Sequence, residues 1–262
     1  MINKLRRQIV DMVYRSGEGH IASAFSILDI IWILYDKVLN ITPLNVSSPE
    51  RDRFILSKGH GCLALYVVLA EKGFIDQDDL NNFIKRNSIL GGHPDYRKIN
   101  GVEASTGSLG HGAAMSVGMA MALKIQKNPA KVYCLIGDGE LNEGSVWEAA
   151  LLAAHHKLNN LIWIIDYNHS TDRAVKMDSI WHKFESFDWI VQPTTMNSIA
   201  QFLSSLNFLY EFHTNNKPMC LVVNTIKGKG VSFMEGNQAW HHKVPTAEEY
   251  NLIMEELNEK TV

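Results

Sequence analysis

A chain of 262 residues can bury one large core, and 46% hydrophobic with 20% charged residues is an ordinary globular composition. A net charge of −3 gives no attraction for nucleic acid or an anionic membrane surface. The cysteines, Cys62, Cys134 and Cys220, are odd in number and far apart, which argues against a disulfide framework or a zinc site. No apolar run reaches the length of a membrane span, and Lys4, Arg6, Arg7 and Asp11 interrupt any signal-peptide core. The expectation is a cytoplasmic protein whose residues 1–262 form one domain.

Leu5, Ile9, Met12 and Val13 fall at helical spacing, so an amphipathic helix opens the chain and stops at Ser16-Gly17-Glu18-Gly19-His20. An apolar helix is expected from Ser26 to Asn40, then a loop from Pro43 to Pro49. Arg53-Phe54-Ile55-Leu56 reads as a short strand, followed by Ser57-Lys58-Gly59-His60-Gly61 and an apolar helix from Cys62 to Glu71. Asp76-Gln77-Asp78-Asp79 starts another helix by N-capping. From Ser88 to Gly112 glycines replace periodicity, and a loop that long inside a domain is usually functional. A small-residue helix follows, Ala113 to Lys127.

The chain is organised around the stretch Lys131 to Ser170. The apolar run Lys131–Ile136 is a buried strand that ends in Gly137-Asp138-Gly139. A helix from Glu143 places Trp147, Ala150, Leu151, Ala154 and Leu158 on one face. A second buried strand, Leu161–Ile165, ends in Asp166-Tyr167-Asn168. Beyond it, Trp189-Ile190-Val191 is a candidate strand, Ser198 to Phe212 an amphipathic helix, and Met219 to Thr225 a buried strand ending in Lys227-Gly228-Lys229-Gly230. An acidic helix starts at Thr246. The alternation predicts an α/β fold with a doubly wound, mostly parallel sheet flanked by helices.

Oxygen-bearing groups at the carboxyl ends of two neighbouring strands suit a diphosphate held through a hard divalent cation. Asp138 offers a carboxylate and Asn168 a carbonyl, while Gly137 and Gly139 let backbone approach a phosphate. Gly-Asp-Gly alone reads more readily as an ordinary tight turn; the strand context and Asn168 thirty positions on reverse that in favour of the metal site. Four histidines, His20, His60, His93 and His241, sit in glycine-rich or loop settings, where imidazole can donate and accept beside a polyol. His155 and His156, placed mid-helix, and His182 and His213 read as structural residues.

Gly137-Asp138-Gly139 with Asn168 resembles the signature of thiamine diphosphate enzymes. Asp52 to Gly61, Gly92-His93-Pro94, Thr106 to Gly110 and Gly137 to Gly144 resemble, in order, the amino-terminal diphosphate-binding domain of transketolase. The likeness runs from about Leu5 to Pro245. It implies thiamine diphosphate with Mg²⁺ or Ca²⁺ held by Asp138, Asn168 and a backbone carbonyl near Ser170. It implies that His60 and His241 contact the diphosphate and the reacting end of the sugar, and that His20 and His93 face sugar hydroxyls. Gly107 and Leu109 line the cofactor rings, Gly139 meets a phosphate, and Glu143 sits at the cofactor edge near a subunit interface.

The family's activity is transfer of a two-carbon ketol unit from a ketose to an aldose. Its second domain supplies the glutamate that activates the cofactor, and no residue here matches it. The chain is therefore expected to be either a truncated fragment or, as a capped helix after Pro245 favours, the amino-terminal subunit of a split enzyme, which works only with a carboxyl-terminal subunit, in two copies of each. Other readings are a synthase joining pyruvate to an aldehyde, the α-type subunit of a 2-oxoacid dehydrogenase, or a non-catalytic relative. The sequence departs from the family at Glu18-Gly19-His20-Ile21, at His169 to Ala174 after Asn168, and at Gln192-Pro193-Thr194, which stands where the family has a Gly-His type turn.

Overall fold

The strands are β1 (Arg53–Leu56), β2 (Val132–Gly137), β3 (Leu161–Tyr167), β4 (Ile190–Thr195) and β5 (Met219–Asn224). In the computed structural model, which describes residues 1–172, 175–212 and 216–259, they form one all-parallel sheet in the order β1-β2-β3-β5-β4. His213, Arg173 and Ala174 lie outside the described residues. Register places Leu56 beside Leu135, Leu135 beside Ile164, and Ile164 beside Leu221, so the carboxyl ends of β1, β2, β3 and β5 come level.

The strand sequences are solidly apolar because both sheet faces are covered. Phe54, Leu56, Tyr133, Leu135, Ile162, Ile164, Leu221 and Val223 join one core. Helices α1 (Ile2–Ser16), α2 (Ile21–Ile33), α3 (Cys62–Glu71), α7 (Ile199–Glu211) and α8 (Ala247–Glu259) complete it. Ile55, Val132, Cys134, Ile136, Trp163, Ile165 and Val222 face a second core under α4 (His111–Ile125), α5 (Gly144–His155) and α6 (Ile180–Ser186). The expected doubly wound sheet is therefore present.

Connections leave β1 and β2, and again β3 and β5, towards opposite faces. The chain runs from β1 into α3 in the first core, and from β2 and β3 into α5 and α6 in the second. After β5 it returns over the first core, where the Gly228 N–H donates to the Ala22 carbonyl at 3.0 Å. Such divergence opens a crevice outside the carboxyl ends of the strands.

Several boundaries differ from the sequence expectation. α2 starts at Ile21, directly after His20, and continues as a π-turn over Leu34–Val38; buried on nearly every side, it has no periodicity to mark its start. Asp76 and Asp79 do form a reciprocal cap, but on a short 3₁₀ helix, Gln77–Asn82. On α5 the buried face is Val146, Ala149, Ala150 and Ala153, whereas Leu151 is 55% exposed, and the helix ends at His155. His155 and His156 are thus exposed at a helix end and not mid-helix. Gln192-Pro193-Thr194 is no turn: it lies within β4, an edge strand where a proline without an N–H is tolerated.

Candidate active site

At the end of β2 the chain makes one 3₁₀ turn, Asp138–Asn142. Asp138 is 2% exposed, and its carboxylate accepts from the Gly139 N–H and the Ser170 N–H, each at 2.9 Å. The Asn168 carbonyl oxygen accepts from the same Ser170 N–H at 3.1 Å and from the Ser170 hydroxyl. The two side-chain oxygens, from β2 and β3, are thus gathered around one backbone group. Burial first, and the neighbouring Asp166 second, push the Asp138 carboxyl above the usual range. A cation at this point would relieve that cost.

Beneath lies a polar layer that sequence reading missed. Asp166, fully buried in β3, accepts from Lys58 Nζ, from the Ser26 hydroxyl at 2.9 Å, from the Thr225 hydroxyl and from Asn168 Nδ2 at 2.9 Å. Donation of the Asn168 NH₂ group to Asp166 leaves its carbonyl oxygen on the Asp138 side. Glu140 accepts from the Ser57 hydroxyl at 2.6 Å and from the Gly110 and Gly137 N–H groups at 2.9 Å. One carboxylate therefore ties the Gly107–Gly110 loop to the ends of β1 and β2. Lys58 was visible in the Ser-Lys-Gly-His run and Lys227 in Lys-Gly-Lys-Gly; Asp166, a lone charge closing an apolar strand, was the available signal for the pair.

The histidines gather on the same edge. The rings of His20 and His60 lie 5.4 Å apart between centroids, His20 and His241 5.6 Å, and His60 and His241 6.0 Å. The His20 Nδ1 is 2.9 Å from the His241 carbonyl oxygen, and Lys227 Nζ is 2.7 Å from His241 Nδ1 and 3.2 Å from the Ser170 hydroxyl. Burial first, then the Lys58 ammonium, hold His60 far below the ordinary imidazole range. Burial, then Lys227, take His241 down to about 4, and burial also lowers His20. Lys227 itself is lowered to about 8 by burial and then by Lys58. Neutral imidazoles beside Lys227, with Lys58 paired to Asp166, form a donor-rich wall opposite the Asp138 carboxylate, suited to a phosphate shared with a cation.

The cleft is lined by Lys58, His60, Leu109, Gly137 to Glu140, Asn168, Ser170, Lys227 and His241, so most of the predicted positions meet there. His20 and His93 line an adjoining small pocket that shares His60. Gly107 stands behind His93: with φ +153°, it occupies a place where a Cβ would come 2.8 Å from the His93 ring. Glu143 is exposed at the head of α5 and does not line the cleft. His242, not singled out from sequence, reaches Glu18 at 2.5 Å, so the unusual charge before His20 is paired.

The residues fit a metal-bound diphosphate. Among the described residues no three His, Cys, Asp or Glu side chains are grouped to hold a metal; a hard cation bridging to a diphosphate would need only the Asp138 carboxylate, the Asn168 carbonyl and backbone from the protein, with phosphate oxygens as the remaining ligands. Gly139 has no atom within 4 Å of where a Cβ would stand, which leaves backbone open to a ligand.

Residues 1–258 match the family described as transketolase, thiamine diphosphate binding domain. An apulose-4-phosphate transketolase subunit from Phocaeicola vulgatus is 40% identical over 98% of this chain and 92% of its own length. The 6-deoxy-6-sulfo-D-fructose transketolase subunit SqwG of Clostridium sp. is 35% identical, over 98% and 95%. The crystal structure of Campylobacter jejuni transketolase superposes with a TM-score of 0.88 at 30% identity, covering 98% of this chain but 42% of that longer one. With the match spanning nearly its whole length, the chain belongs to the transketolase family, of which it carries the thiamine diphosphate-binding domain.

Proposed function

We propose that this chain is the amino-terminal, cofactor-binding subunit of a two-chain transketolase that passes a two-carbon ketol unit from a ketose phosphate to an aldose phosphate in the cytoplasm. The convergence of Asp138 and Asn168 on Ser170, facing Lys227, His60 and His241, carries this reading. Residues 1–262 would act as one unit. Asp138, Asn168 and the Ser170 carbonyl would hold Mg²⁺ or Ca²⁺. Gly137, Gly139, His60 and His241 would meet the diphosphate and the reacting end of the sugar. Gly107 and Leu109 would line the cofactor rings, and His20 and His93 would bind sugar hydroxyls.

When bound, thiamine diphosphate supplies the electron sink for breaking a carbon–carbon bond beside a ketose carbonyl. This chain's residues anchor the diphosphate, exclude water from one side and orient the polyol. Relatives of nearly this length named as subunits for apulose-4-phosphate and for a sulfonated fructose support a sugar-phosphate-like substrate class. Leu109 is 38% exposed and Leu151 55%, with Met115 and Met119 half-buried on the adjacent α4. This apolar ground beside the cleft supports a seat for the second subunit, with two copies of each chain in the assembly and Glu143 towards the junction.

Reconstitution tests the reading. The chain should be silent alone, and active in two-carbon transfer when mixed with a polypeptide carrying the pyrimidine-binding and carboxyl-terminal domains. The same mixture made with Asp138→Ala should stay silent and lose Mg²⁺-dependent cofactor binding by calorimetry. Turnover by the isolated chain, or unchanged affinity in the variant, overturns the proposal.

A further inference from the structure

We propose that Lys227 is a positioning residue that fixes His241 as its Nε2–H tautomer, so that His241 and His20 meet a substrate as one fixed donor and one fixed acceptor. Lys227 Nζ lies 2.7 Å from His241 Nδ1. An ammonium carries three donors and no acceptor, so Nδ1 must present its lone pair and the ring proton must sit on Nε2. The His20 ring obeys the opposite constraint. Its Nδ1 is 2.9 Å from the His241 carbonyl oxygen, which can only accept. That nitrogen therefore bears the proton and leaves His20 Nε2 as a lone pair.

Both constraints meet at residue 241: its ring accepts from Lys227, and its carbonyl accepts from His20. The lock is well founded in the fold. Lys227 is 4% exposed, its carbonyl accepts from the Gly236 N–H at 2.9 Å, and the next residue is tied to α2 through the Ala22 carbonyl. Gly228, at φ +80°, sits where a Cβ would lie 2.6 Å from the Met234 carbonyl, so the turn that aims Lys227 tolerates no side chain. A second donation, to the Ser170 hydroxyl at 3.2 Å, holds the ammonium between the cofactor end and the histidine end of the cleft.

The consequence rests on the ketol-transfer reading; the tautomers do not. A ketose offers adjacent carbonyl and hydroxyl groups. An N–H on His241 suits the carbonyl oxygen, and a lone pair on His20 suits the hydroxyl proton. A pair free to exchange tautomers would spend part of its time with both rings in the wrong form. Lys227 removes that freedom before substrate arrives.

Long-range ¹H–¹⁵N correlation spectra of the ¹⁵N-histidine-labelled chain test this, with His20→Gln and His241→Gln to assign the signals. At neutral pH the wild-type chain should show an unprotonated Nδ1 and protonated Nε2 for His241, and the reverse for His20. Lys227→Met should abolish the single-tautomer pattern of His241 and leave the exposed His182 unchanged, whereas Lys227→Arg, which still donates, should keep it. A protonated Nδ1 on His241 in the wild-type chain overturns the proposal even if Lys227→Met does not fold. So does a folded Lys227→Met chain with the wild-type pattern. A chain with these tautomers but no ketol transfer alongside its partner would sink the functional reading and leave this one standing.

Discussion

His60 shows at the residue scale how the site trades stability for chemistry. Its ring is held neutral by burial and by Lys58, with a pKa far below the ordinary 6.5. The unfolded chain takes up a proton near 6.5 where the folded ring does not. The stability that the neutral ring contributes is therefore fully present above about pH 6.5 and is lost as pH falls below it. His20 and His241 add shifts of the same sign. Glutamine cannot titrate, so the difference in unfolding free energy between wild type and His60→Gln should be constant above pH 7. Below 6.5 it should decline by at most roughly 1.4 kcal/mol per pH unit. Denaturant titrations between pH 8 and 5 measure this, and parallel curves throughout would show that the ring is not held neutral by the fold.

Between elements, close approach of backbones decides where the loops stand. Gly112, in the first turn of α4, is placed so that a Cβ would lie 2.5 Å from the Ser57 hydroxyl oxygen and 2.6 Å from Ser57 Cα. Ser57 is fully buried and bonded to Glu140, so it cannot give way. Gly118, two turns on, has no atom within 4 Å of its Cβ position. Gly112→Ala should cost roughly 1–3 kcal/mol by overpacking, while Gly118→Ala should gain roughly 1 kcal/mol of helix stability. Equal stability of the two variants by thermal unfolding would contradict the packing described. The same distinction explains what the sequence revealed. β1 and α3 were legible to the residue because short apolar runs end abruptly at polar ones. α2 was misplaced because a helix buried all round has no period, and the Lys58–Asp166 pair was missed because partners 108 positions apart leave no local pattern. Asp138, His20, His60 and His93 were legible because each has a glycine beside it, and backbone freedom next to a chemical group is itself local; Asn168 was legible from its place at the end of an apolar strand.

For the whole molecule, the accessible surface of 11459 Å² is close to the roughly 11,500 Å² expected for a compact protein of its mass. The chain thus buries as much surface as a compact domain of its size and has two closed cores of its own. What stays open is chemical: the cleft edge at Leu109, and the neighbouring outer surface of α4 and α5, which pack against each other. Leu151 at 55% and Leu152 at 46% exposure stand on that surface, where charged residues would be expected if water were the permanent neighbour. Replacing Leu151 by Asp touches no buried group, so it should leave unfolding within about 0.5 kcal/mol of wild type. If the second subunit seats here, the new carboxylate would be buried without a partner, and association should weaken at least tenfold. Native mass spectrometry and titration calorimetry of the variant with the second chain read that directly. Weakened assembly with unchanged folding would place the junction on this face, whereas undiminished assembly would move it elsewhere and leave Leu151 an ordinary exposed leucine.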